Sequence, residues 1–88
     1  METVWKYELN ERLEHADVPK GFKVLTTAIQ GNKPVVWLQV NPNEAETVSI
    51  KLKAVATGEV NVSENDAYIG TVMFMNGTLV EHIYLSLQ

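Results

Sequence analysis

The chain has 88 residues, 45% of them hydrophobic and 20% charged, with 7 basic against 11 acidic side chains and a formal net charge of −4. That length fits one domain, residues 1–88, and the mild acidity argues against a protein that tracks nucleic-acid phosphates, which would show a basic stripe. A chain this short buries only about 60–65% of the surface its unfolded form exposes. With no cysteine and no His/Cys cluster, neither disulfides nor a structural zinc can supplement the core, which leaves self-association as the common remaining source of stability.

The lack of cysteine fits a reducing compartment. Met1 to Lys6 has no basic region followed by an apolar run, so no export signal is expected. No stretch approaches the ~18 apolar residues of a membrane span. Asn61-Val62-Ser63 and Asn76-Gly77-Thr78 match the glycosylation sequon, but without export they read as ordinary loop asparagines.

From the N-terminus, Val4 to Leu9 alternates, with Trp5, Tyr7 and Leu9 on one face and Lys6 and Glu8 on the other, the pattern of a half-buried strand. Asn10 to His15 is polar and predicts a loop or a single helical turn. Asp17-Val18-Pro19-Lys20-Gly21 predicts a turn, since proline presets φ and glycine permits a positive one. Phe22 to Gln30 and Pro34 to Val40 read as strands joined by a tight turn at Gly31-Asn32, which sets Ala28 opposite Val35 and Thr26 opposite Trp37. Pro34 lacks a ladder donor, so this end of its strand is expected at an edge.

Asn41-Pro42-Asn43-Glu44 is a further turn. Thr47 to Ala56 carries Val48, Ile50, Leu52, Ala54 and Ala56 on one face and Ser49, Lys51 and Lys53 on the other. Thr57 to Asp66 reads as a loop. Tyr68 to Met75 and Thr78 to Leu87 flank Asn76-Gly77, a strong hairpin signal. That turn places Met73 opposite Val80, Thr71 opposite His82, Ile69 opposite Tyr84, Phe74 opposite Leu79 and Gly70 opposite Ile83. Both faces of this hairpin are apolar: Ile69, Met73, Met75, Val80 and Tyr84 on one, Tyr68, Val72, Phe74, Leu79, Ile83 and Leu85 on the other. One face needs a cover beyond the chain's own core, which predicts a homo-oligomer. The sum is an all-β fold of about six antiparallel strands, a small sandwich or half-open barrel with little helix.

Catalytic constellations are not evident. His15-Ala16-Asp17 has no third ligand at metal-site spacing and reads as solvated. In a strand, Glu81 and His82 point to opposite faces, so the carboxylate cannot orient the ring, and Thr71 across the hairpin is a weak partner for a general base. There is no nucleophile elbow and no phosphate-cradling glycine motif. No enzyme activity, metal or cofactor is therefore expected. Recognition falls to aromatic side chains with polar tips. The candidate ligand-binding residues are Trp5, Tyr7, Trp37, Thr71, His82 and Tyr84. Tyr68 is a further aromatic of this kind. Lys6, Lys33, Ser49 or Thr71 could meet phosphate or ribose oxygens.

Four stretches carry a resemblance. They are Val4-Trp5-Lys6-Tyr7-Glu8-Leu9, Val18-Pro19-Lys20-Gly21-Phe22-Lys23-Val24-Leu25, Gln30-Gly31-Asn32-Lys33-Pro34-Val35-Val36-Trp37 with Val40-Asn41-Pro42, and Tyr68-Ile69-Gly70-Thr71-Val72 with Gly77-Thr78-Leu79-Val80-Glu81-His82-Ile83-Tyr84. In this order and spacing the chain resembles a family of small phage and prophage proteins known only as a domain of unknown function. It departs at Glu81, where an aromatic is expected before the His, and in the 57–66 loop. The resemblance implies phage origin and the cytoplasm of the bacterial host, and supplies no catalytic residues. Phage origin directs the expected function to a host-defence antagonist that sequesters a small nucleotide-like signal. The alternatives are a stoichiometric inhibitor of a host protein and a minor virion or assembly protein.

Overall fold

The structure, a computed structural model, describes residues 1–88. Seven strands form two antiparallel sheets: β1 (Thr3–Glu8), β2 (Leu13–Pro19), β3 (Lys23–Gln30), β4 (Lys33–Val40), β5 (Thr47–Ala56), β6 (Ala67–Phe74) and β7 (Leu79–Leu87). Sheet A has the order β1-β4-β3 and sheet B the order β2-β5-β7-β6. The smallest extent, 17 Å over Cα atoms, suits two layers at the usual spacing of about 10 Å. The fold is a small sandwich, and the sheets do not close into a barrel.

The inward faces follow from the alternation. Val36, Leu38 and Val40 of β4 and Leu9 beyond β1 meet Ile50, Leu52 and Ala54 of β5, Ile83 and Leu85 of β7, Val72 of β6 and Val18 of β2 in one buried cluster. Each fully buried Val, Leu or Ile contributes about 1.5–3 kcal/mol. Eighteen of 88 residues are buried, so little packing can be lost before the fold fails.

The two hairpin turns set most of the expected register. Ala28 pairs with Val35 and Thr26 with Trp37 around Gly31-Asn32, both at positive φ. Met73 pairs with Val80, Thr71 with His82, Phe74 with Leu79 and Gly70 with Ile83.

Four expectations are corrected. Leu13 to His15 of the expected loop, and Asp17 to Pro19 of the expected turn, belong instead to a seventh strand, β2, paired along its length with β5 from Leu13–Lys53 to Pro19–Thr47. The tight turn falls at Lys20-Gly21. Pro34 does not mark an edge, because β4 is the central strand of sheet A. It sits at a pair that does not exchange hydrogen bonds with β3, so its missing N–H faces the end of β1, while its carbonyl accepts from Leu9 N at 3.0 Å. Finally, a bulge at Ile69 makes Tyr68, not Ile69, the partner of Tyr84. The extra residue turns Ile69 onto the core and Tyr68 outward, reversing their expected faces.

Candidate functional site

Outward-facing side chains divide between two sheet faces and one end of the sandwich. On sheet A, Trp37 stands at the middle of β4, half-buried, with Lys6 of β1 on one side and Thr26 of β3 on the other. Lys6 Nζ reaches across β4 to donate to Gln30 Oε1 at 2.6 Å. This bridge and Trp37 account for Val35 being fully buried although it lies on the outward face. Lys33 donates to Asn10 Oδ1 at 2.9 Å and stands 4.0 Å from Glu8. Lys23 pairs with Gln39, which donates to Glu2 at 3.3 Å. Three of the seven basic residues thus stand on this face against two acidic ones, Glu2 and Glu8.

On sheet B, outward polar groups bond to one another. Tyr68 Oη and Thr71 Oγ1 lie 2.5 Å apart, Thr71 Oγ1 is 2.9 Å from His82 Nδ1, and Thr57 Oγ1 is 2.7 Å from His82 Nε2. With either tautomer one ring nitrogen donates and the other accepts, so every group of the chain Tyr68–Thr71–His82–Thr57 has a partner, and one hydroxyl hydrogen at an end of the chain, on Tyr68 or on Thr57, is left for solvent. The Tyr68 and Tyr84 rings meet edge to face at 5.6 Å. The 57–66 loop folds over this sheet. Lys53 Nζ binds Asp66 at 2.7 Å with both side chains nearly covered, 10% and 2% exposed. The bond from Lys53 and then the backbone N–H of Ser63 hold the Asp66 carboxyl below its usual range.

At the end of the sandwich where the two hairpin turns meet the β1–β2 connection, an open cleft of about 730 Å³ is lined by Leu9, Pro34, Phe74 and Leu79 together with Asn10, Asn32 and Lys33. Arg12 on its wall joins three distant segments: it binds Glu59 and donates from Nε to Glu81 at 2.8 Å, while its carbonyl accepts from Ala54 N. The bond to Glu59 raises the Arg12 pKa. The same bond, then the Ala56 N–H, lowers that of Glu59. Glu11 and Arg12 hold φ of 55° and 70°, a left-handed pair without glycine or asparagine.

The six candidate ligand residues therefore lie in three places. Trp5 and Tyr7 face inward, opposite Leu38 and Val36, and burial pushes the Tyr7 phenol up. Trp37 faces outward on sheet A. Thr71, His82 and Tyr84 share the outward face of sheet B, where Thr71 and His82 are already partners. Of the proposed phosphate contacts, Lys6 and Lys33 stand on the Trp37 face, whereas Ser49 donates to Asp17 Oδ1 at 2.5 Å. His15 and Asp17 lie on β2, not in a loop. Sequence reasoning missed Lys23, Arg12 and Asp66. Extending the Thr26–Trp37 register would set Lys23 opposite Val40, on the inward face; the bulge between Val24 and Thr26 brings it opposite Gln39 and outward, and no signal in the sequence marks that bulge. The partners of Arg12 and Asp66 depend on how the turn and the long loop close.

No three His, Asp or Glu side chains converge as metal ligands, and no helix is long and apolar enough to cross a membrane. No curated protein and no solved structure matches the chain. A family model described as a domain of unknown function matches residues 1–88.

Proposed function

The chain belongs to this family, DUF7352, and on that premise we propose that it is a phage-encoded, non-enzymatic binding protein that sequesters a nucleotide-like signal of the host's defence. Phage origin, and with it action in the bacterial cytoplasm, is supported by the four resembling stretches. The ligand class is supported by one observation: Trp37 at the centre of an open sheet face that also carries Lys6, Lys23 and Lys33. Stacking a base on an aromatic ring contributes about 1–3 kcal/mol, and neighbouring lysines take the phosphates. The register positions of Lys33 and Lys23 lie six residues apart along β4, roughly 20 Å at strand rise. That span suits an oligonucleotide-like signal with several phosphates better than a mononucleotide. The bonds from Lys6 to Gln30 and from Lys33 to Asn10 are exposed and cheap to exchange.

A thermal-shift panel of cyclic mono- and oligonucleotides and ADP-ribose derivatives tests the reading. A ligand at 100 times its dissociation constant adds about 2.7 kcal/mol, and Trp37→Ala should abolish the shift while Trp5→Phe retains it. A silent panel together with one stoichiometric partner from bacterial lysate would replace sequestration by inhibition of a host protein.

A further inference from the structure

We infer that two copies of this chain pair edge to edge through β1, antiparallel and about a two-fold axis at Tyr7, which joins two three-stranded sheets into one of six strands. The edge strands are β1, β3, β2 and β6, and three of them are obstructed as docking edges. β3 and β6 each carry a bulge, and they close on one another at the seam where a Cβ on Gly70 would come within 2.8 Å of Thr27 Cγ2. β2 ends in Pro19 and turns a charge inward, because Glu14 stands opposite the fully buried Leu52. β1 is regular over its six residues, has no proline and is exposed at every position but Tyr7. Its inward-facing Trp5 is still 39% exposed.

The ladder with β4 fixes which backbone groups of β1 are free. Leu9 N donates to Pro34 O at 3.0 Å. By the alternation of an antiparallel pair, Thr3, Trp5 and Tyr7 then turn their N–H and C=O towards β4, and Val4, Lys6 and Glu8 turn theirs outward. A second strand can bond only through these outward groups, so few registers are open to it. With the two-fold axis at Trp5, Lys6 or Glu8, charges of like sign meet. An axis at Val4 matches Lys6 only with the partner's Glu2, which lies outside the strand. With the axis at Tyr7, Lys6 stands opposite the partner's Glu8 and Glu8 opposite the partner's Lys6. Cross-strand pairs of opposite sign stabilise and like pairs destabilise. A lone lysine would guard this edge against a second copy, whereas Lys6 and Glu8 together make it complementary to itself. On the inward face the same axis sets Tyr7 against the partner's Tyr7 and Trp5 against the partner's Leu9, which covers rings that a single sandwich leaves partly exposed.

A contact between two six-residue strands is small and belongs to the weak end of protein interfaces. In sedimentation equilibrium of the full chain, the mass should therefore rise from 9.9 kDa towards twice that value between about 10 µM and about 1 mM. Lys6→Glu and Glu8→Lys each turn two opposite-charge pairs into like ones and should weaken association about tenfold or more. Mixed in equal amounts, the two variants should recombine into a heterodimer, and both changes in one chain should restore the homodimer. Val4→Pro is the second route in case a reversal disturbs the fold. It removes an outward N–H and no bond to β4, and it should weaken the dimer while circular dichroism keeps the strand signature. Trp37→Ala should leave the mass unchanged, which separates this outcome from any failure of ligand binding. A parent chain that stays monomeric to about 1 mM overturns the inference. So does a dimer indifferent to both reversals or to Val4→Pro, and so do folded reversal variants that fail to recombine.

Discussion

One methyl group at Gly70 probes the seam where the edge strand β6 of sheet B passes β3 of sheet A. A Cβ there would lie 2.8 Å from Cγ2 of Thr27, roughly 1 Å inside ordinary carbon contact. Thr27 cannot swing aside freely. Its β-branched side chain is stiff at χ1, and its hydroxyl donates to the Val35 carbonyl at 2.7 Å, a bond worth about 0.5–1.5 kcal/mol. The Gly70 backbone has no positive φ, so alanine would otherwise be favoured in a strand by about 0.5–1 kcal/mol. Overpacking of this kind costs about 1–3 kcal/mol, and the net expectation for Gly70→Ala is a loss of about 1–2 kcal/mol, or roughly 5–10 °C in Tm for a chain of this size. Thr27→Ser removes the clashing methyl and keeps the hydroxyl. In that background Gly70→Ala should be neutral or stabilising. Urea and thermal unfolding of the four proteins give the coupling directly. A Gly70→Ala protein as stable as the parent, or an equal loss in the Thr27→Ser background, would refute the close approach of the two strands.

Three further outcomes follow from the charged groups and the strained turn. Asp66→Asn leaves Lys53 covered without its counter-charge and should cost about 3 kcal/mol in chemical unfolding. The folded pKa values of Asp66 and Glu59 both lie below their unfolded values, so their contribution is complete above the ordinary carboxylate range of about 4 and is lost as pH falls through the folded values. Tm should hold level above about pH 5 and decline below about pH 4, with a shallower acid slope in Asp66→Asn; an identical slope would contradict the pairing. Glu11→Asn should raise stability by about 0.5–1 kcal/mol, because Asn tolerates the left-handed φ of 55° that Glu11 holds, and a lower melting temperature would show that the Glu11 side chain has a role of its own.

Periodicity and turn chemistry made most of the fold legible. The hairpin pairings around Gly31-Asn32 and Asn76-Gly77 follow from two-residue turns alone, and the alternation of β5 names its buried face. What was not legible depends on partners distant in sequence. β2 contributes only Ala16 and Val18 to the interior, too few for a pattern, and is a strand because β5 offers it a ladder. The bulge at Ile69 defeats counting from the turn, although Gly70 within a strand was a usable signal for it. The candidate site was least legible, since grouping aromatics by chemistry says nothing of the face each takes. The β1–β4 pairing separates Trp5 and Tyr7 from Trp37, and that pairing joins segments about 30 residues apart.

The strand order also governs how the chain can come apart. Sheet A is built entirely from residues up to Val40, yet β2, which lies between its strands in sequence, pairs with no strand but β5. A chain severed in the 41–46 turn would yield a first piece whose own sheet has nothing over its apolar face and a second whose sheet lacks an outer strand. Each piece holds the part the other needs. β2 therefore acts as a strap across the sandwich, and the two layers form a single cooperative unit although each is assembled mostly from one half of the sequence.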